Sequence, residues 1–312
     1  MALIIDFNCH VFPDLIKNSE MISVEGVNRF KGNARQWLRP VSRSVHGAQI
    51  LLRHLPLFAR NPLDAFSALL PFPGLMFEST PSDLYSAMDE AQVNFSVAIA
   101  QSPWISNEFV LSLAAENPRL IPVVNIPRGT SRPGQALKAW VGKGARAIKL
   151  HPALDGEDVN SPRYRSVLRA ADDMNLPVIV HTGCVQSKLL YRSPSQAKAE
   201  NFIKWYESFP NVRFILAYMN FHEPNTALDL CEEFPNLWVD TSSQPSEVIG
   251  EAVRRIGAER VLFGTDWPFL GSNLTLGKSR IQDAIDTGLL NQEQGRLILG
   301  ENAAKILNLG PV

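Results

Sequence analysis

Eight short runs of β-branched and other apolar residues, separated by amphipathic stretches, constrain the fold more than any other feature of this sequence. They cover residues 3–10, 95–100, 120–127, 146–152, 177–183, 213–220, 237–242 and 260–268. Several are nearly continuous in Val, Ile and Leu, as in parallel strands that are buried on both faces. Their alternation with helices predicts an α/β fold, and eight of them favour a closed (β/α)₈ TIM barrel over an open sheet.

Chain length and a helix-start signal both agree with this barrel. The 312 residues exceed the roughly 250 that such a barrel needs by the length of an insertion, so residues 1–312 are predicted to form a single domain. Thr80 can cap a helix, Pro81 suits its first position and Asp83 complements its dipole. The predicted helix runs to about residue 92 and buries a face made of Leu84, Met88 and Ala91.

The connection formed by residues 11–79 is much longer than the roughly 2–6 residues that usually follow a strand, which predicts an insertion. Its apolar stretches, 50–57 and 65–75, are interrupted by prolines, and this pattern predicts short helices. Because it leaves the end of the first strand, the insertion is expected to lie over the C-terminal face, where barrels form substrate pockets. It can serve there as a lid or as a contact in a homo-oligomer.

Charge and cysteine content restrict the classes of partner and compartment. With 30 Lys and Arg against 31 Asp and Glu, the net charge of −1 provides no basic surface for nucleic acid or an anionic membrane. A small-molecule substrate is therefore the expected partner. The N-terminus lacks the pattern of a secretory leader, no apolar run reaches ~18 residues, and the three cysteines lack metal-site spacing. We therefore predict a soluble, cytoplasmic protein with reduced thiols.

Polar side chains at the C-terminal ends of the predicted strands are the candidate functional residues, because the barrel layers below them are apolar. On the first strand, Asp6, Asn8 and His10 alternate and are expected to share one face. The other candidates are Lys149 and His151 on the fourth strand, His181 on the fifth, Tyr218 on the sixth with His222 beyond it, and Asp266 on the eighth.

Three of these residues have the chemistry of a metal site. His10, His181 and Asp266 would meet at one rim of the barrel, and two imidazoles with one carboxylate suit a divalent cation. Each residue alone has an ordinary alternative, since a strand-end histidine can be a satisfied polar group and Asp266 can cap the next segment. Their convergence from three strands predicts one bound ion, with zinc preferred and manganese as the alternative.

Six segments of the sequence carry a resemblance to a known family. They are Ile5-Asp6 with His10, Met88-Asp89-Glu90-Ala91, AIKLHP at 147–152, PVIVHTG at 177–183, LFGTDWPF at 262–269 and ILGENAA at 298–304. The sequence resembles the amidohydrolase superfamily, in the amidohydrolase-related branch that includes aminocarboxymuconate semialdehyde decarboxylase. This resemblance covers most of the chain outside 11–79. It implies one divalent metal, held by an H-x-H pair on the first strand, a histidine on the fifth and an aspartate on the eighth.

Two positions depart from the family pattern. Asn8 stands where the first metal histidine is implied, and Tyr218 stands where members carry a histidine that transfers protons. An amide oxygen is a poor zinc ligand, so Asn8 is expected to weaken zinc binding or to shift preference towards harder cations. It is also a candidate contact for substrate. Tyr218, with an ordinary pKa near ~10, suits donation to an oxyanion better than proton abstraction.

Three further residues can compensate for these losses. His222 is in register with Tyr218 if the sixth strand continues, and it can then act as an acid or base or simply begin the next helix. Lys149 and His151 share a face of the fourth strand, and Lys149 can bind an anionic substrate or pair with a carboxylate. In the wider superfamily a carbamylated lysine bridges two metals, an alternative that the depleted ligand set disfavours.

Two functions remain open from the sequence. The leading prediction is a metal-dependent hydrolase or non-oxidative decarboxylase of a small carboxylated or lactone-like compound, with Asp266 as general base. The alternative is a catalytically degraded barrel that acts in binding or assembly, which the replacements at Asn8 and Tyr218 would explain. A nucleotide-dependent enzyme is disfavoured, since no glycine-rich phosphate motif follows a strand.

Overall fold

A computed structural model describes residues 3–13, 55–56, 58–59, 62–63, 79–184, 188, 191–269 and 274–310. Most of the predicted insertion at 11–79 lies outside these residues. Its helical character and its position over the barrel therefore stay predictions.

Eight parallel strands form the centre of the described chain, and each pairs with the next in sequence order. Backbone hydrogen bonds then join the end of the last strand to the first: Phe7 N–H donates to the Phe263 carbonyl over 2.8 Å, and His10 N–H donates to the Trp267 carbonyl over 2.6 Å. The sheet is therefore closed, and the predicted (β/α)₈ barrel is confirmed. The strands are β1 Ile5–Cys9, β2 Phe95–Ile99, β3 Leu120–Asn125, β4 Ala147–Leu150, β5 Val178–Val180, β6 Phe214–Leu216, β7 Leu237–Asp240 and β8 Val261–Leu262.

Helices follow the strands. The first helix begins as predicted, because the Asp83 carboxylate accepts the Thr80 backbone N–H over 3.0 Å. This helix buries Leu84, Met88 and Ala91, the face that the sequence predicted. The helices are α1 Pro81–Ala91, α2 Asn107–Glu116, α3 Pro133–Gly142, α4 Pro152–Asp155, α5 Pro162–Asp173, α6 Ile203–Ser208, α7 Pro224–Glu233, α8 Ser246–Ile256, α9 Leu274–Asp286, α10 Gln292–Arg296 and α11 Asn302–Ile306. Short 3₁₀ turns and one π-helical turn, Leu297–Glu301, join several of them.

Alternate strand residues pack in two separate apolar clusters. On β2, Val97 and Ile99 belong to the inner cluster that fills the barrel, whereas Ala98 belongs to the outer cluster under the helices. On β4, Ile148 and Leu150 lie in the outer cluster, so Lys149 between them lies on the inner face. Burying one such aliphatic side chain stabilises the fold by roughly 1.5–3 kcal/mol.

The first strand departs from regular alternation. Ile5 and Phe7 pack in the inner cluster, but Cys9 packs in the outer one, and the pairing with β2 shifts register between Asp6 and Cys9. A β-bulge of this kind changes which residues share a face. The prediction that Asp6, Asn8 and His10 lie on one face is therefore wrong, because the bulge separates Asp6 from the other two.

The sixth strand is shorter than predicted. It ends at Leu216, and Tyr218, Met219, Asn220 and Phe221 all have positive φ, between 49° and 61°. Residues in this left-handed region turn the chain and cannot continue a strand. The condition for His222 to share a face with Tyr218, that the sixth strand continues, is therefore not met.

Two predictions from composition can be compared with the described residues. Among the residues that the structure describes, no helix is both long enough and apolar enough to cross a membrane. Cys9, Cys184 and Cys231 are all free thiols, as predicted, and Cys9 and Cys231 are buried.

Candidate active site

Side chains from five strand ends meet at the C-terminal rim of the barrel. The Lys149 ammonium lies 3.5 Å from the Tyr218 hydroxyl oxygen, and that hydroxyl donates to Asp266 Oδ1 over 3.1 Å. His10 Nε2 lies 3.7 Å from the same carboxylate oxygen. The His181 ring packs against the Tyr218 ring in a T-shaped arrangement, with centroids 5.0 Å apart. The structure thus brings together residues that the sequence predicted separately.

His10 is held in a defined protonation state. Its Nδ1 lies 3.2 Å from the Ile99 carbonyl oxygen, which can only accept, so Nδ1 carries the hydrogen and Nε2 presents a lone pair towards Asp266. Burial, followed by the nearby Lys149 charge, lowers the pKa of His10 to about 3. The imidazole is therefore neutral at physiological pH. Its ring also packs edge-on against Phe269, with centroids 5.0 Å apart.

His181 and His151 form a stacked pair. Their ring centroids are 3.6 Å apart with an interplanar angle of 14°, and Tyr191 packs against both. His151 Nδ1 accepts the Leu154 backbone N–H and so caps α4. Within the described residues, neither ring nitrogen of buried His181 has a hydrogen-bond partner. Burial lowers the pKa of both imidazoles well below 6.5, so both rings are neutral at physiological pH.

The turn that carries Tyr218 is strained and is held by its neighbours. Non-glycine residues at positive φ cost roughly 1–2 kcal/mol each, and four occur in succession here. The Tyr218 N–H donates to Asp240 Oδ1 over 3.2 Å, and Gln244 Nε2 donates to the carbonyls of Tyr218 and Phe221. Thr182 Oγ1 donates to the Ala217 carbonyl over 2.7 Å. Tyr218 is therefore aimed at Asp266 by tertiary hydrogen bonds.

Asp240 is a site residue that the sequence analysis missed. It ends β7, is fully buried and accepts Asn8 Nδ2 over 3.3 Å as well as the Ser242 backbone N–H over 2.9 Å. A signal was present, because Asp240 begins a polar run directly after an apolar strand, as the predicted residues do. Asn8, also fully buried, donates its amide nitrogen to this carboxylate, while its Oδ1 has no hydrogen-bond partner among the described residues. Its role as a substrate contact stays a prediction.

Lys149 lies among buried carboxylates. Burial lowers its pKa, while the charges of Asp240 and Asp266 act in the opposite direction. Burial has the opposite effect on the acid: it raises the pKa of Asp266, and the Lys149 charge opposes that rise. Asp6 fixes the segment that carries Asp266, since its two oxygens accept the N–H and hydroxyl of Thr265 over 2.9 and 2.8 Å. The ammonium is thus the counter-charge of the site.

The cavity beside Lys149 opens between the loops that follow β2, β3 and β4. Its polar lining includes Gln101, Asn125 and His151 as well as Lys149. The His222 ring packs against the ring of its sequence neighbour Phe221, with centroids 4.0 Å apart. Its predicted catalytic role stays a prediction.

The predicted metal ligands do not form a ready metal site. Within the described residues, no group of three or more His, Cys, Asp or Glu side chains is placed to hold a metal ion. His10 and Asp266 are adjacent, but the Asn8 amide nitrogen faces a carboxylate, and the Tyr218 hydroxyl bonds one Asp266 oxygen. These donors do not fit the implied mononuclear site. Zinc or manganese at His10, His181 and Asp266 stays a prediction.

Comparison with known proteins gives one family and several related folds. The sequence matches the family described as amidohydrolase over residues 5–309. No curated protein matches it.

Three solved structures share the fold at low sequence identity. The 5-carboxyvanillate decarboxylase from Sphingomonas paucimobilis is 13% identical with a TM-score of 0.66, over 99% of this chain and 100% of its own. A 2,6-dihydroxybenzoate decarboxylase complexed with 2,6-dihydroxybenzoate is 15% identical with a TM-score of 0.65, over 99% of both chains. A probable 2-pyrone-4,6-dicarboxylic acid hydrolase from Acinetobacter baumannii, with citric acid bound, is 14% identical with a TM-score of 0.57, over 98% of this chain and 99% of its own.

Proposed function

The chain belongs to the amidohydrolase family, and from this membership and the geometry of its strand ends we propose that it is a hydrolase or non-oxidative decarboxylase of a small carboxylated compound. The observation that carries the proposal is the hydrogen-bonded series from Lys149 through Tyr218 to Asp266. It combines a cation for an anionic substrate with a carboxylate that can move a proton. The related folds, which include two decarboxylases and one hydrolase, support the same pair of reaction classes.

In hydrolysis, the Asp266 carboxylate accepts a proton from the water that attacks the substrate carbonyl carbon. Once protonated, Asp266 can donate to the Tyr218 oxygen, so the phenolic hydrogen is released to bond the developing oxyanion. Lys149 has three hydrogens and can donate to the same oxyanion. The proton held by Asp266 then passes to the leaving oxygen as its bond to carbon breaks.

In decarboxylation, the same residues act in a different order. Protonated Asp266 donates its proton to the substrate carbon that bears the carboxylate. The electron pair of the bond to the carboxyl carbon then returns to the substrate, and carbon dioxide leaves. Because burial raises the pKa of Asp266, a protonated form is accessible near neutral pH, which is the range where a proton donor works best.

Members of this family generally use a divalent metal ion. Zinc or manganese binding is expected here only from membership of the family. Since the donor set does not fit, every step above is assigned to the chain's own residues.

The proposal is tested by turnover of the three compounds named for the related folds: 5-carboxyvanillate, 2,6-dihydroxybenzoate and 2-pyrone-4,6-dicarboxylate. Carbon dioxide release detects decarboxylation, and loss of pyrone absorbance detects hydrolysis. At least one compound should turn over, and Asp266→Asn should lower its rate by about 10²-fold or more. The matched control is Asp173→Asn, an exposed aspartate paired with Lys138 on the barrel surface. Turnover of none, or full activity in Asp266→Asn, would overturn the proposal and favour a binding protein.

A further inference from the structure

The ligand position that departs from the family is occupied by an amide whose nitrogen faces a carboxylate. Asn8 Nδ2 lies 3.3 Å from Asp240 Oδ2 and 3.5 Å from Ser242 Oγ. Turning the amide over would place its oxygen against the Asp240 carboxylate, so chemistry favours the observed orientation. Asn8 therefore directs its amide nitrogen at a carboxylate, while its buried Oδ1 has no hydrogen-bond partner among the described residues.

The space beside the remaining candidate ligands already contains a positive charge. The Lys149 ammonium is one hydrogen bond from Tyr218, and Tyr218 is one hydrogen bond from Asp266. The ammonium also lies 4.9 Å from the centre of the Tyr218 ring, which holds it by a cation–π contact. A divalent ion on Asp266 would be repelled by this ammonium in a buried, weakly screening environment.

The same lysine lines the cavity, and the other polar groups there suit an anion. Asn125 Oδ1 accepts the Ser102 hydroxyl over 3.2 Å, so the Asn125 amide nitrogen is the end that can donate to a ligand. Asp155 also lines the cavity, but Tyr164 and Arg163 both donate to its carboxylate. The charge of Asp155 is thus compensated, so Lys149 is the charged lining group whose ammonium can still donate to a ligand in the cavity.

We propose that the Lys149 ammonium takes the place of the family's divalent metal: it binds the carboxylate of the substrate and polarises it, and the protein works without a metal ion. This inference rests on the proposed function for its substrate class. Its claim about metal binding concerns the protein alone and can be tested without any substrate.

The test is metal content followed by zinc titration calorimetry. The unaltered protein, purified without chelator, should contain well below one equivalent of zinc or manganese. Lys149→Met removes the charge and keeps most of the side-chain volume, so it should bind zinc about tenfold more tightly or better. Lys149→Arg keeps the charge and should bind zinc as weakly as the unaltered protein. Adding His10→Ala to Lys149→Met should remove the gain, which places the zinc at this site.

Lys138→Met, which removes a lysine exposed on the barrel surface, is the control for general loss of charge. One equivalent of metal in the unaltered protein that is lost on His10→Ala would overturn the proposal, as would unchanged zinc affinity in folded Lys149→Met. The metal content of the unaltered protein is measured without any variant. It therefore tests whether the protein holds a metal ion even if Lys149→Met does not fold. If zinc binds to the variants as expected but none of the three compounds turns over, the proposed function is contradicted and the inference about metal binding stands.

Discussion

Replacing Gly183 with alanine tests whether the strained turn after β6 is what positions Tyr218. Gly183 has φ of +61°, and a Cβ there would overlap the carbonyl carbon and oxygen of Asn220 and lie 3.0 Å from its Cα. Asn220 belongs to the left-handed turn that begins at Tyr218. The added methyl group can therefore be accommodated only if this piece of backbone moves.

Two costs are expected from Gly183→Ala. The positive φ costs roughly 1–2 kcal/mol for any non-glycine residue. Overlap with fixed backbone adds roughly 1–3 kcal/mol, as other overpacked positions do. The turn must retreat by on the order of 1 Å, and a displacement of that size at a catalytic group can lower turnover by about 10²-fold.

Gly288→Ala is the matched control, because Gly288 has φ of +77° and nothing lies within 4 Å of a Cβ built there. Urea unfolding measures both variants, and turnover of the best compound is measured alongside. Gly288→Ala should lose only the conformational cost and keep its activity, whereas Gly183→Ala should lose more stability and most activity. Equal losses in stability with full activity in both would refute the idea that this turn positions Tyr218.

Three further substitutions, two of them with a control variant, test separate parts of the structure. Tyr218→Phe should lower turnover by about 10²-fold, while Tyr206→Phe, which loses a buried hydroxyl bonded to the Ala199 carbonyl, should not. Equal turnover in the two variants would show that the Tyr218 hydroxyl takes no part in the reaction. Gln244→Leu leaves two turn carbonyls without this donor and should cost roughly 1–3 kcal/mol in urea unfolding. Leu84 is fully buried, so Leu84→Ala should lower the free energy of unfolding by roughly 2–5 kcal/mol. Leu289 is exposed, so Leu289→Ala should lower it by less than about 0.5 kcal/mol. Similar losses for the two leucines would contradict the assigned core.

The barrel could be predicted because each strand is buried on both faces and is therefore a local apolar run. Val178–Val180 and Leu237–Asp240 both follow this pattern. Helix starts were equally local, since the contact of Thr80 with Asp83 spans three residues. Such features need no knowledge of distant parts of the chain.

The parts that could not be predicted depend on distant contacts. The bulge in β1 shifts Asn8 towards Asp240, more than two hundred residues away in sequence. The turn at Tyr218 contains no glycine that would have predicted it. It is stabilised by the Tyr218 N–H, which donates to Asp240, and by Gln244, which donates to the Tyr218 carbonyl. Tyr191 belongs to no strand, so no periodic signal connects it to the stacked histidines.

The site residues fall between these cases. Their presence at strand ends was readable, and the proximity of Lys149, Tyr218 and Asp266 followed from the barrel once the strands were numbered correctly. The direction of each hydrogen bond was not readable. The sequence therefore predicted that these side chains lie at strand ends, but not that Lys149, Tyr218 and Asp266 form one hydrogen-bonded series.

A crystal structure with the best of the three compounds bound would test the central claim most directly. The account predicts that the compound occupies the cavity at the C-terminal rim, with a carboxylate oxygen within hydrogen-bond distance of Lys149 Nζ and the reacting carbon facing Asp266. Density for the compound at another surface of the barrel, or at the rim with its carboxylate bound to a metal ion and turned away from Lys149, would contradict it.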